Sequence, residues 1–155
     1  MDILWKSLGG MIAVISFGII LHVPKKFLIW TGLNGALGAG IYVFVVEQTG
    51  SVVLGSFLGA VVMSVLAHIF ARIFKSPVTI FLIPANLTLV PGAGMYRIVY
   101  FILQSDHSMA AYYFEQTFMI AGAIVVAMFI VNATMGNFIT GVQNIKKGIR
   151  KERGI

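Results

Sequence analysis

The stretch FLIWTGLNGALGAGIYVFVV, residues 27–46, decides the fold class, because it runs for 20 residues without a charged side chain. A helix of that length spans the hydrocarbon core of a bilayer. Residues 52–71 form another run of 20 residues, in which His68 is the only ionisable group, and a shorter apolar run covers residues 7–23. These runs predict three transmembrane helices.

A fourth apolar stretch is interrupted. Residues 78–103 hold a single charge, Arg97, but they also contain two prolines and two glycines. Proline removes a helical hydrogen bond, and a continuous helix tolerates it poorly. We therefore predict a discontinuous fourth span, unwound from Pro84 to Gly94. Unwound backbone at membrane depth must face protein or a water-filled cavity.

A fifth span follows the fourth. The chain becomes apolar again at Tyr112, and no charged residue occurs between Glu115 and Lys146, which leaves ample length for a tilted helix. Residues 1–145 are thus predicted to be an all-α transmembrane domain of about five helices. Residues 146–155 are predicted to be a basic cytoplasmic tail.

The composition excludes several classes of protein. Hydrophobic residues make up 59% of the 155 and charged residues only 10%, which is too few to build a soluble surface. The chain has no cysteine, and its three histidines show no ligand spacing, so no metal site or cofactor is expected. No enzyme motif is present. The net charge of +6 does not form a basic face, so a nucleic-acid partner is not expected.

The basic residues predict the orientation. Nine of the 11 follow the first, third or fifth span: Lys25, Lys26, Arg72, Lys75, Lys146, Lys147, Arg150, Lys151 and Arg153. On the opposite side lies only Lys6. Because basic loops are retained in the cytoplasm, we predict a multi-pass protein of the cell membrane with its N-terminus outside and its C-terminus cytoplasmic.

The broken span predicts an anion site. Pro91 suits the first position of a new helix, so that the N–H groups that follow it direct partial positive charge into the bundle. Arg97 lies under two turns further on and offers a fork for a carboxylate. The candidate substrate-binding residues are Asn86, Thr88, Pro91, Gly92, Gly94, Tyr96 and Arg97. A kinked structural helix, with Arg97 at the interface or paired with a buried acid, is the alternative.

Glu115 is the candidate for proton coupling, since transporters use acidic groups inside the membrane for this purpose. The alternative is that Glu115 only stabilises the N-terminus of its helix. Asp106 and His107 adjoin in a polar connection, where a solvated loop is the favoured interpretation.

Four segments carry a resemblance to a known family. They are FGIILHVPKK at residues 17–26, GLNGAL at 32–37, PVTIFLIP at 77–84 and LVPGAGMY at 89–96. These segments resemble the threonine/serine exporters, specifically the short chain of exporters that are split between two polypeptides. Related chains commonly carry Gly and Pro where Ala85 and Thr88 stand here.

The resemblance implies a five-span subunit that exports small amino acids such as threonine and serine, driven by the proton gradient. Its expected partners are a larger membrane subunit, or further copies of itself, together with the amino-acid substrate and the lipid bilayer. A non-transporting accessory or scaffold subunit of a membrane complex is the first alternative interpretation, and a channel is the second.

Overall fold

The computed structural model describes the backbone of residues 2–152 and the side chains of residues 3–135. That part of the chain contains helices and no strand. The six helices are α1 (Asp2–Ile20), α2 (Lys25–Thr49), α3 (Val52–Ile73), α4 (Thr79–Leu87), α5 (Gly92–Leu103) and α6 (His107–Glu152). The predicted all-α fold is therefore confirmed.

Four of the described helices are long and apolar enough to cross a membrane, namely α1, α2, α3 and the His107–Met135 part of α6. The short helices α4 and α5 pass the same test together, with a bend of 41° between them. Counting that bent pair as one span gives five, in agreement with the prediction that the fourth span is discontinuous.

The break in the fourth span is shorter than predicted. We expected unwound backbone from Pro84 to Gly94, but only residues 88–91 lie between α4 and α5. Pro84 is inside α4, and Gly94 is inside α5. A membrane helix tolerates an internal proline where neighbouring helices supply hydrogen bonds to its backbone.

Asn34 of α2 bonds to the backbone of α4, next to the Ile80 carbonyl that Pro84 leaves without a helical donor. Its Nδ2 donates to the carbonyl of Phe81, three residues before Pro84, at 3.3 Å, and to the carbonyl of Met63 in α3 at 3.1 Å. Asn34 is fully buried. One side chain thus joins α2, α3 and α4, and it holds the proline-containing helix in the bundle.

The last helix also differs from the prediction. α6 begins at His107, five residues before Tyr112, because Asp106 caps it: the Met109 N–H donates to Asp106 Oδ1 at 3.1 Å. The helix continues to Glu152, so it includes most of the basic tail, whose side chains lie outside the described residues. Its 46 residues extend about 70 Å, roughly twice the thickness of a bilayer core.

Tight turns join the helices. His22, Lys75 and Ser105 have positive φ angles of 56°, 49° and 59°. Each closes the preceding helix with the paired hydrogen bonds of a Schellman motif; after α1, for example, the Val23 N–H donates to the Gly18 carbonyl at 2.8 Å. Short connections of this kind keep successive helices antiparallel and adjacent.

The packing separates α4 from α5. α4 packs against α1, α2 and α3, whereas α5 packs against α6 and has little contact with the first three helices. None of the residues of α5 is buried. The break at residues 88–91 therefore leaves a space between the two halves of the bundle.

Candidate functional site

A cavity of about 570 Å³ occupies that space. Its volume lies within the range of small-molecule sites. α1, α2 and α3 form one side of it, and the helix break, α5 and α6 form the other. The lining residues are Gly9, Gly10, Ala13, Ala39, Tyr42, Val52, Ser56, Thr88, Leu89, Val90, Pro91, Gly92, Ala93, Gly94, Arg97, Tyr113, Gln116, Thr117 and Ile120.

An apolar layer forms the floor of the cavity. Leu89 and Ile120 line the cavity and also belong to a buried cluster. The other members of that cluster are Ala60, Met63, Ala85, Ile124 and Ala127. The cavity thus lies in the half of the bundle that contains the α2–α3 turn, and this apolar layer separates it from the opposite half.

The start of α5 forms one wall. Pro91 has φ −76° and ψ 61°, and the Gly92 N–H donates to the Val90 carbonyl at 2.7 Å. These values define an inverse γ-turn centred on Pro91. The prediction that Pro91 is the first residue of the helix is wrong, because the turn places it just before Gly92. The Gly92 amide is consequently occupied.

Two amides remain open at this helix terminus. Within the described chain, the backbone N–H groups of Ala93 and Gly94 have no hydrogen-bond partner. The first amides of a helix carry partial positive charge and suit an anion. α5 therefore directs two unsatisfied donors at the region of the cavity.

Arg97 adds a full positive charge to the same wall. Its guanidinium carbon lies 5.2 Å from the centroid of the Tyr113 ring of α6, which is within cation–π range. Among residues 3–135, Lys6 and Glu47 form an ion pair at 3.2 Å, and Arg97 forms none. The alternative in which Arg97 pairs with a buried acid thus finds no support in the described side chains.

The predicted binding residues divide into two groups. Thr88, Pro91, Gly92, Gly94 and Arg97 line the cavity. Asn86 and Tyr96 do not belong to its lining. The Asn86 side chain is buried and donates to the Leu82 carbonyl of its own helix at 3.0 Å, whereas Tyr96 is 69% exposed and stacks on Tyr100.

Polar residues that the sequence did not mark complete the lining. They are Tyr42 from α2, Ser56 from α3, and Tyr113, Gln116 and Thr117 from α6. A Cβ at Gly94 would meet Thr117 Oγ1, so α5 and α6 approach each other closely at this point. No local motif marks these residues, because three different helices bring them together.

Glu115 lies outside the main cavity. It is exposed and lines a smaller cavity of about 250 Å³ beside the α2–α3 turn. Val52 and Gln116 line both cavities, so the two adjoin. Glu115 is the ninth residue of α6, beyond the first turn of the helix. The interpretation that it stabilises the helix N-terminus is therefore wrong.

These features define a multi-pass, all-helical membrane protein with a partly open cavity at a broken helix. Residues 6–134 match the family described as "Threonine/Serine exporter, ThrE", and the chain belongs to this family. The matched range includes every residue that lines the cavity. The chain is accordingly of the exporter type, a class of membrane transporter. No solved structure matches it.

Proposed function

We propose that this chain is a subunit of a secondary transporter that exports threonine, serine or similar small amino acids. The observation that carries the proposal is the meeting of Arg97 with the open amides of Ala93 and Gly94 at one cavity. In this proposal the substrate carboxylate binds between the guanidinium fork and the helix terminus. Both groups bind carboxylates, one as a helix terminus with open amides and the other as a charged guanidinium fork.

Tyr113 supports the proposed role of Arg97. A guanidinium over an aromatic face keeps its donor edge available for a carboxylate, because the cation–π contact uses the flat face. The absence of an acidic partner among residues 3–135 leaves the positive charge for a ligand. An arginine that is neutralised by the protein would bind a substrate carboxylate far less well.

We further propose that the chain acts with a larger membrane subunit or with further copies of itself. The exposed α5 supports this proposal, since none of its residues is buried and both Tyr96 and Leu103 are largely exposed. Alternating access usually uses two structural repeats that move against each other, and five spans are few for such a cycle. A partner that covers α5 would also close the cavity laterally.

Two finer features belong to the same proposal. The N-terminus is outside and the C-terminus cytoplasmic, so that the cavity faces the outer half of the membrane. Glu115, in the adjoining smaller cavity, carries the coupling proton, because it is a carboxylate near the cavity that forms no ion pair with the described side chains.

The test is efflux from the native host after the gene for this chain has been deleted, which keeps any partner in place. Cells loaded with labelled threonine or serine should recover saturable efflux when the wild-type chain is restored. Arg97→Gln should lower the apparent affinity by about ten- to a hundredfold at equal membrane abundance. Normal efflux by Arg97→Gln would favour an accessory subunit, and non-saturable flux without energy coupling would favour a channel.

A further inference from the structure

A second feature of the cavity is the unpaired hydroxyl of Ser56 on α3. The side chain is only 1% exposed and lines the cavity. Its Oγ has no hydrogen-bond partner in the described part of the protein. Several other helical hydroxyls are paired: those of Thr31 and Thr49, for example, donate to the carbonyl four residues earlier, at 2.9 Å and 2.7 Å. Ser56 therefore holds a free donor and acceptor at the cavity.

Ser56 lies across the cavity from α5. Ser56 lies one helical turn before Ala60, a member of the apolar floor, so it stands in the layer next to that floor. α3 and α5 both line the cavity, but they have little direct contact with each other. The cavity thus lies between the Ser56 hydroxyl and the wall that carries Arg97 and the open amides.

We propose that Ser56 determines the specificity of the site by hydrogen-bonding the β-hydroxyl of a small amino acid. This inference rests on the proposed function, in which Arg97 and the α5 terminus hold the carboxylate. A serine hydroxyl both donates and accepts, so it pairs fully with another hydroxyl. A substrate that lacks the hydroxyl leaves Ser56 unpaired in a desolvated site, and the site therefore rejects it.

The chain offers a matched control for this proposal. Ser64 lies two turns further along α3, is fully buried, and has an Oγ without a hydrogen-bond partner in the described chain. It does not line the cavity. Ser56→Ala and Ser64→Ala therefore make the same chemical change on the same helix, inside and outside the proposed site.

The experiment compares threonine with L-2-aminobutyrate, which has the same carbon skeleton without the hydroxyl. In the complemented host, the wild-type chain should export threonine in preference. Ser56→Ala should reduce that preference about tenfold, by slowing threonine export while 2-aminobutyrate export changes little. Ser56→Thr, which keeps a hydroxyl, should retain a preference for hydroxylated substrates such as serine over alanine. Ser64→Ala should behave like the wild type.

The contrary outcomes separate this inference from the proposed function. Equal losses for both substrates in Ser56→Ala would make Ser56 a packing residue, and an unchanged preference would show that it does not contact the hydroxyl; either result overturns the inference alone. A wild-type chain that neither restores efflux nor binds either amino acid after purification, as measured by calorimetry, would overturn both.

Discussion

The guanidinium of Arg97 in α5 lies over the aromatic ring of Tyr113 in α6, with 5.2 Å between the guanidinium carbon and the ring centroid. This contact, the stacking of Phe101 on the same Tyr113 ring at 5.4 Å and the close approach of Gly94 to Thr117 hold α5 against α6. None of the residues of α5 is fully buried in the described chain. The residue proposed to bind the substrate is therefore positioned by α6 rather than by the helices on the opposite side of the cavity.

The Arg97–Tyr113 pair predicts a graded set of transport defects. Tyr113→Phe keeps the aromatic face and should leave threonine efflux within about twofold of wild type. Tyr113→Leu removes the aromatic face and should reduce the apparent affinity several-fold, because a cation–π contact contributes about 0.5–2 kcal/mol, depending on its exposure to solvent. Arg97→Lys should fall between wild type and Arg97→Gln, since the charge remains but the planar fork is lost. Equal efflux by Tyr113→Phe and Tyr113→Leu would show that the aromatic ring of Tyr113 does not support substrate binding by Arg97.

Substitution by alanine should destabilise the protein at Gly94 but not at Gly92. A Cβ at Gly94 would meet Thr117 Oγ1, while a Cβ at Gly92 meets nothing within 4 Å. Gly94→Ala should lower the free energy of unfolding by about 1–3 kcal/mol through overpacking. Gly92→Ala should leave it within about 0.5 kcal/mol. Thermal unfolding in detergent measures both.

A second substitution at Thr117 should rescue the Gly94 variant. Gly94→Ala combined with Thr117→Ala should recover most of the lost stability, because the remaining contact is with Thr117 Cβ at 3.4 Å, an ordinary packing distance. A double variant as unstable as Gly94→Ala alone would show that the glycine serves the backbone of α5 rather than its approach to α6.

Asn34 is predicted to be a structural residue of the bundle. Asn34→Leu should destabilise the protein by about 1–2 kcal/mol, because two carbonyls on α3 and α4 lose their amide donor. Thr31→Val is the control, since Thr31 is equally buried but bonds only to the Phe27 carbonyl of its own helix. Similar midpoints of thermal unfolding for the two variants would argue against the cross-linking role.

The proposed orientation can be tested on a single helix. The chain contains no cysteine, and both Lys26 and Gln48 are exposed near opposite ends of α2. Gln48→Cys should react with a membrane-impermeant maleimide in intact cells, and Lys26→Cys should react only after permeabilisation, because basic loops are retained in the cytoplasm. The reverse labelling pattern would place the cavity on the cytoplasmic side.

The number and type of the spans were predictable, whereas the exact break was not. Uninterrupted apolar runs and the prolines of residues 77–91 indicated five spans with one broken, since bilayer thickness fixes the length of a spanning helix. The sequence overestimated the break, and it gave no local sign that Asn34 bonds to the Phe81 carbonyl of the proline-containing helix, 47 residues further along the chain.

The amino-acid sequence by itself determined that this protein is a bundle of membrane helices with a positive charge beside a broken span, because hydropathy and proline act locally along the chain. It also marked five of the residues that line the cavity. Only the tertiary structure decided which polar groups share that cavity. Ser56, Thr117 and Arg97 come from three helices that meet through packing, so no sequence spacing records their proximity. The packing also places Asn86 in the interior and Tyr96 on the outer face, because the helices that contact α4 and α5 determine which side of each helix faces the bundle.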